Sequence, residues 1–187
     1  MAGKQLLLWT AALLAAATII ACSRERGVEA ARDNRPPIAS PAEQDFMMRA
    51  TEGHLAEIES ANLALQKSGN KDVRDYANMI QSDHTRALDD LTDLMKDKNV
   101  SKPGSLPPDV KKDVEMMNGL SGPEFDREFI NRMVEDHKKM IEMFQERAAV
   151  IQDRDVKKYA EDLLPVLEMH LEKAQRLQSK LFSMPPR

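Results

Sequence analysis

The 187-residue chain has one cysteine, Cys22, and aromatic residues make up only 4% of it. A single thiol cannot form an internal disulfide, so stability must come from packing even in an oxidising compartment. No Cys-x-x-Cys-His occurs, which excludes covalent c-type haem attachment. Basic residues do not predominate: 27 Lys and Arg stand against 31 Asp and Glu. Without a basic patch or many aromatics, a nucleic-acid partner is disfavoured. Little in the chain reads as a strand. The uncharged, mostly apolar run from Leu6 to Ala21 is shorter than the roughly 20 residues a membrane-spanning helix needs.

That run instead fits the hydrophobic part of a secretory signal. It ends in Ile19-Ile20-Ala21-Cys22, which resembles the bacterial lipoprotein cleavage box. The resemblance implies cleavage before Cys22 and acylation of Cys22; Ser23, where an aspartate is absent, implies the outer membrane. Several acyl chains together make a stable anchor. Residues 1–21 therefore read as a signal peptide and residues 22–39 as a lipidated, flexible tether, polar and carrying Pro36 and Pro37. Residues 40–182 are one ordinary domain length. Removing the signal leaves 26 basic against 31 acidic residues, a formal charge of −5. The expected location is the cell envelope, facing the periplasm, with contact to the membrane through the lipid on Cys22; no protein partner is specified.

The domain is punctuated as four long helices. Ser40-Pro41-Ala42-Glu43 forms a capping box with proline in the first turn, opening a helix that runs to about Gly69. Asn70 can cap a second, to about Lys98. Ser121-Gly122-Pro123-Glu124 is another box, opening a third to about Gln152, and Asp153 can cap a fourth that ends near Phe182. The proline-bearing segment between residues 99 and 121 predicts a short extra helix between loops. The two halves also match at an offset of 83: Phe46 with Phe129, His54 with His137, Ile58 with Ile141, Tyr76 with Tyr159, Ala77 with Ala160. One helical hairpin used twice buries its apolar stripes most simply as an all-α four-helix bundle. Whether the bundle is simple up-down or crosses over is left open.

At about 100° per residue, each long helix turns one of the four histidines inward. The second helix has the stripe Val73, Tyr76, Ala77, Ile80, Ala87, Leu88, Leu91 and Met95, with His84 at its centre. The first has Phe46, Ala50, Ile58, Ala61 and Leu65, with His54 and Glu57 inside the stripe. His137 lies among Phe129, Met133, Met140 and Phe144, and His170 follows Leu163 and Leu167. Each histidine is within about 3 Å of its helix midpoint, so all four are expected at one height. A buried polar group without a partner costs about 1–3 kcal/mol, so four such rings must be paired. His54, Glu57, His84, His137 and His170 are thus candidate ligands of a transition metal; imidazole with carboxylate suits Fe, Mn, Zn or Cu. The methionines near this level read as core filler, and Tyr76 and Tyr159 as packing wedges. Pro165 removes a hydrogen bond to Glu161 and is expected to kink its helix.

Residues 44–180 resemble a bacterial family of unknown function described as predicted outer membrane proteins with a ferritin-like helical bundle. The resemblance rests on the segment from Phe46 to Ala87, with Glu57 and Asp83-His84, on Ser121 to Phe144 with His137, and on Leu164 to Leu177 with Pro165 and His170. Glu57, His84, His137 and His170 fit the family's pattern. Membership implies the bundle and the envelope location, not a reaction. The Glu-x-x-His pairs of di-iron bundles are missing, since Thr51, Gln81, Val134 and Leu167 stand three residues before the histidines. Di-iron chemistry and iron storage are disfavoured. The alternative is a metal-free envelope interaction or stress-response module whose core histidines hydrogen-bond with Glu57 and one another.

Overall fold

The computed structural model describes residues 38–183; the expected signal, Cys22 and nearly all of the tether lie outside them. It contains α1 (Pro41–Lys67), α2 (Lys71–Asp97), α3 (Pro108–Asn118), α4 (Gly122–Val150) and α5 (Arg154–Ser183). The class is all-α, with two packed hairpins, α1·α2 and α4·α5, and a short connecting helix. Among the described residues no helix is long and apolar enough to cross a membrane.

All four long helices start where their sequence signals lie, and in three of them the expected side chain makes the cap. Ser40 accepts from the Glu43 amide while the Glu43 carboxylate accepts from the Ser40 amide at 2.8 Å, closing the first capping box. Asn70 accepts from the Asp72 amide at 3.0 Å. One oxygen of Asp153 accepts from the amides of Asp155 and Val156 at 3.0 and 3.1 Å. The second predicted box does not form: the Ser121 side chain makes no capping bond. Gly122 takes φ +56°, a region glycine enters without a Cβ penalty. The Ser121 carbonyl still accepts from the Phe125 amide at 3.3 Å, so the start of α4 is closed by backbone alone. Ser40→Ala removes a working cap and is expected to lower stability by about 1 kcal/mol, read as a lower urea midpoint at unchanged slope.

Polar ties fix the topology. At one end, Glu43 at the start of α1 accepts from the Asp153 amide at the start of α5 (2.9 Å). Lys98, at the end of α2, reaches Asp153 and Asp155 at 2.6 and 3.0 Å, and Arg147 near the end of α4 meets Asp45 at 2.8 Å. At the other end, Lys67 donates to the Asn118 carbonyl. The segment from residue 98 to 121 therefore runs the length of the bundle, carrying α3 across α1 and α4. This long crossover makes α1 antiparallel to α4 and α2 antiparallel to α5.

The core is split in two by a polar layer. One apolar cluster gathers Ile80, Phe125, Phe129, Ile130 and Met133 near the α3 end. The other gathers Phe46, Leu91, Met95, Phe144 and Leu167 near the opposite end. Every residue of the stripe read from α2 is buried. In α1, Phe46, Ala50, His54, Glu57 and Ala61 are buried as read, but Ile58 and Leu65 are only half-buried, while Thr51 and Ser60 are buried. Helix α5 runs unbroken through Pro165.

The internal repeat appears in the hydrogen bonds. Tyr76 donates to the carbonyl of His170 at 3.3 Å, and Tyr159 donates to the carbonyl of Ala87 at 3.2 Å. The offset of 83 that relates the tyrosines also relates residues 87 and 170. The two hairpins are therefore related by a pseudo-twofold.

Candidate metal centre

The polar layer holds His54 and Glu57 from α1, His84 from α2, His137 from α4 and His170 from α5. All five are at most 2% exposed. His84 is the hub: its ring centroid lies 5.1 Å from His54, 5.5 Å from His137 and 5.4 Å from His170, and His137 and His170 are 5.3 Å apart.

His84, His137 and His170 each place one potential ligand nitrogen within 4.8 Å of the others. Their hydrogen bonds leave a specific remainder. His137 Nδ1 donates to the Met133 carbonyl one turn back, at 2.9 Å. His170 Nε2 lies 3.1 Å from Asp83 Oδ2, and His84 Nδ1 lies 3.0 Å from His54 Nδ1. Among the described residues, His137 Nε2, His170 Nδ1 and His84 Nε2 have no hydrogen-bond partner. Buried polar atoms are rarely left so. A ligating histidine characteristically has its second nitrogen held by a carbonyl or carboxylate, which fixes the ring and its tautomer. His137 and His170 have that arrangement here.

Glu57 lies against the cluster, with Oε2 2.9 Å from His84 Nε2 and Oε1 3.1 Å from His137 Nδ1. Neither approach is aligned as a hydrogen bond, so both oxygens are also without partners. Burial pushes the Glu57 carboxyl up to about 7, against a smaller pull downward from His137. Burial likewise lowers His84, His137 and His170 to about 4 and drives His54 well below its ordinary value. For His170 the neighbouring Asp83 carboxylate opposes this shift. At neutral pH the rings are uncharged, the form in which imidazole binds a metal.

His54 stands apart from the three-ring cluster. Both its nitrogens are engaged, Nδ1 with His84 and Nε2 with the Tyr159 hydroxyl at 2.7 Å. Tyr159 is thus more than the packing wedge read from the sequence, and nothing in its spacing pointed to His54. Asp83 precedes His84 in sequence but serves His170 on another helix. Both Asp83 and Tyr159 line a groove of about 520 Å³ between α2 and α5, with Arg86, Asp90, Asp162 and Met169 among its other walls. Solvent therefore reaches the groups that hold the rings. The methionines match their reading as filler: Met133 is buried in one apolar cluster, and Met140 packs in the other.

The same fold occurs in solved structures at low sequence identity. A DUF305 fragment from Deinococcus radiodurans superposes with a TM-score of 0.69 at 16% identity, over 77% of this chain and 99% of that one. A DUF305 protein from Streptomyces coelicolor, described as a candidate secreted protein, gives 0.66 at 14% identity, over 78% of this chain and 97% of that one. A comparison with curated proteins finds no match. The model of the domain of unknown function DUF4142 matches residues 28–177, and the chain belongs to that family.

Proposed function

We propose that this domain binds one transition-metal ion in the bacterial envelope, through His84, His137 and His170, with Glu57 as the adjoining carboxylate. The observation that carries the reading is a buried triad on three helices, His84, His137 and His170, each with a potential ligand nitrogen within 4.8 Å of the others and each with one ring nitrogen that makes no hydrogen bond. The residues suit the group: neutral imidazoles with a nearby carboxylate match Fe, Mn, Zn or Cu. Such an ion, when bound, supplies a Lewis-acidic or redox-active centre. The chain's own side chains exclude bulk water and hold the ring tautomers. With Glu57 as a fourth ligand the site is closed, which suits sequestration or sensing; catalysis needs an open position. His54 supports His84 in this reading.

The envelope location rests on the lipobox at Cys22 and on the secreted description of the Streptomyces coelicolor relative in fold. We propose that residues 1–21 are removed, that Cys22 carries lipid in the outer membrane, and that the tether over 22–39 suspends the bundle in the periplasm.

The test is metal content by mass spectrometry on untagged chain purified from the envelope, beside His84→Ala/His137→Ala. Near-stoichiometric metal in the parent and none in a still-helical double variant is the expected result. An empty parent that takes up none of Fe, Mn, Cu or Zn would favour the metal-free interaction module.

A further inference from the structure

The link between His84 and the groove carries an assignment of protons. Tyr159 has one hydroxyl proton and two neighbours, the Ala87 carbonyl at 3.2 Å and His54 Nε2 at 2.7 Å. The carbonyl can only accept. With the hydroxyl proton directed to Ala87, the phenol oxygen accepts from His54, whose proton then sits on Nε2. A neutral imidazole has one N–H, so His54 Nδ1 becomes an acceptor. The 3.0 Å contact between the two Nδ1 atoms then requires the His84 proton on Nδ1. His84 Nε2 is left as a bare lone pair in the cluster.

The opposite sense is the competitor. If Tyr159 donated to His54, His54 would donate to His84, and the His84 proton would move to Nε2. There it would face Glu57 Oε2 at 2.9 Å without hydrogen-bond alignment. That sense would also break the bond that Tyr159 donates to the Ala87 carbonyl, which the first sense keeps. The first sense also agrees with the other two rings. His137 has its Nδ1 proton on the Met133 carbonyl and His170 its Nε2 proton toward Asp83, so each presents its remaining nitrogen bare.

We infer that Tyr159 and His54 are positioning residues, a two-step relay from the α2–α5 groove that keeps the His84 proton on Nδ1 and leaves its Nε2 lone pair bare in the cluster, beside Glu57. Its affinity readout rests on the metal reading; its tautomer readout does not. Tyr159→Phe keeps the ring that packs on Phe46 and Phe144 and removes the acceptor for His54. His54 then gains by moving its proton to Nδ1, and the relay reverses. His54→Asn, by contrast, retains a carbonyl oxygen able to accept from His84.

The experiment is nitrogen NMR of the metal-stripped full chain in detergent, labelled with 15N-histidine. Four histidines in the whole sequence keep the spectrum assignable. The parent should show His84 as the Nδ1–H tautomer. Tyr159→Phe should convert it to Nε2–H and weaken Zn²⁺ binding about 10- to 100-fold. His54→Asn should keep the parent tautomer and recover much of that affinity. A parent with His84 protonated at Nε2 overturns the relay by itself, so the inference stays testable even if Tyr159→Phe fails to fold. An unchanged His84 tautomer in a folded Tyr159→Phe overturns it equally. A parent with the expected tautomers that binds none of Zn²⁺, Fe²⁺, Mn²⁺ or Cu²⁺ would end the metal reading and leave the relay standing. A Zn²⁺-binding parent with the wrong tautomer would do the reverse.

Discussion

The metal-free protein is expected to lose much of its stability between pH 6.5 and pH 4. In the unfolded chain the histidines take up protons near their ordinary value of about 6.5. In the folded protein burial holds His84, His137 and His170 down to about 4 and His54 well below its ordinary value. Below pH 6.5 the unfolded state therefore binds more protons, and stability falls with falling pH until the folded rings titrate. Glu57 works the other way. Burial raises it to about 7, so the folded state binds one extra proton between about 7 and its unfolded value near 4.5. Asp126 and Asp136, also raised by burial, add smaller opposition toward the acid end. Four rings against one principal carboxylate leave a net uptake of about three protons on unfolding, and each is worth about 1.4 kcal/mol per pH unit where the difference is full. Over the window that is comparable with the roughly 5–15 kcal/mol a domain has in total. Urea titrations at pH 7, 6 and 5 in the presence of a chelator measure the slope directly. A midpoint that stays constant from pH 7 to pH 5 would show that the rings are protonated or solvated in the native state.

The second large effect is stabilisation by the ion. A ligand that binds only the folded state at a hundred times its Kd adds about 2.7 kcal/mol. For a chain of this size each kcal/mol moves Tm by about 2–4 °C, so saturating Zn²⁺ is expected to raise Tm by roughly 5–11 °C. His84→Ala/His137→Ala should show no rise. The ligands come from both hairpins, α2 on one side and α4 and α5 on the other. An ion at their centre would add a tie between halves already joined by the segment from residue 98 to 121, by shared core packing and by contacts such as Glu43–Asp153 and Arg147–Asp45. The shift should therefore also appear as slower unfolding by urea when Zn²⁺ is present. A parent whose melting curve is unmoved by Zn²⁺, Fe²⁺, Mn²⁺ or Cu²⁺ has no site of useful affinity.

The bundle was legible wherever a helix is amphipathic. The α2 stripe alternates cleanly between buried apolar and exposed charged positions, and all its members are buried. Helix α1 was harder because its buried face includes Thr51 and Ser60, which apolar periodicity assigns to solvent. Counting Ile58 and Leu65 as core rotated the inferred face. Helix midpoints brought the histidines to one level, but a resolution of about one turn cannot separate a ring inside a cluster from one leaning against it. That separation placed His54 beside His84, with its nitrogens on His84 and Tyr159. The Tyr159 contact depends on the stagger of α5 against α1, which helix lengths do not fix. The failed box at Ser121 has a local cause, since Gly122 adopts a backbone conformation that the motif's residue types do not reveal.

The paired tyrosine–carbonyl bonds have a consequence for stoichiometry. The operation that superposes Tyr76 on Tyr159 and residue 170 on residue 87 also carries His137 to His54, His84 to Leu167 and His170 to Ala87. A twofold-symmetric bundle would own two equivalent three-imidazole nests. Here the second nest has kept one ring, while a leucine and an alanine occupy its other two corners. The surviving ring, His54, has turned both nitrogens to neighbours. The symmetry is thus spent asymmetrically: one half-set is filled in with hydrocarbon and its last imidazole braces the other. Under the proposed metal reading, the expected capacity is one ion per chain.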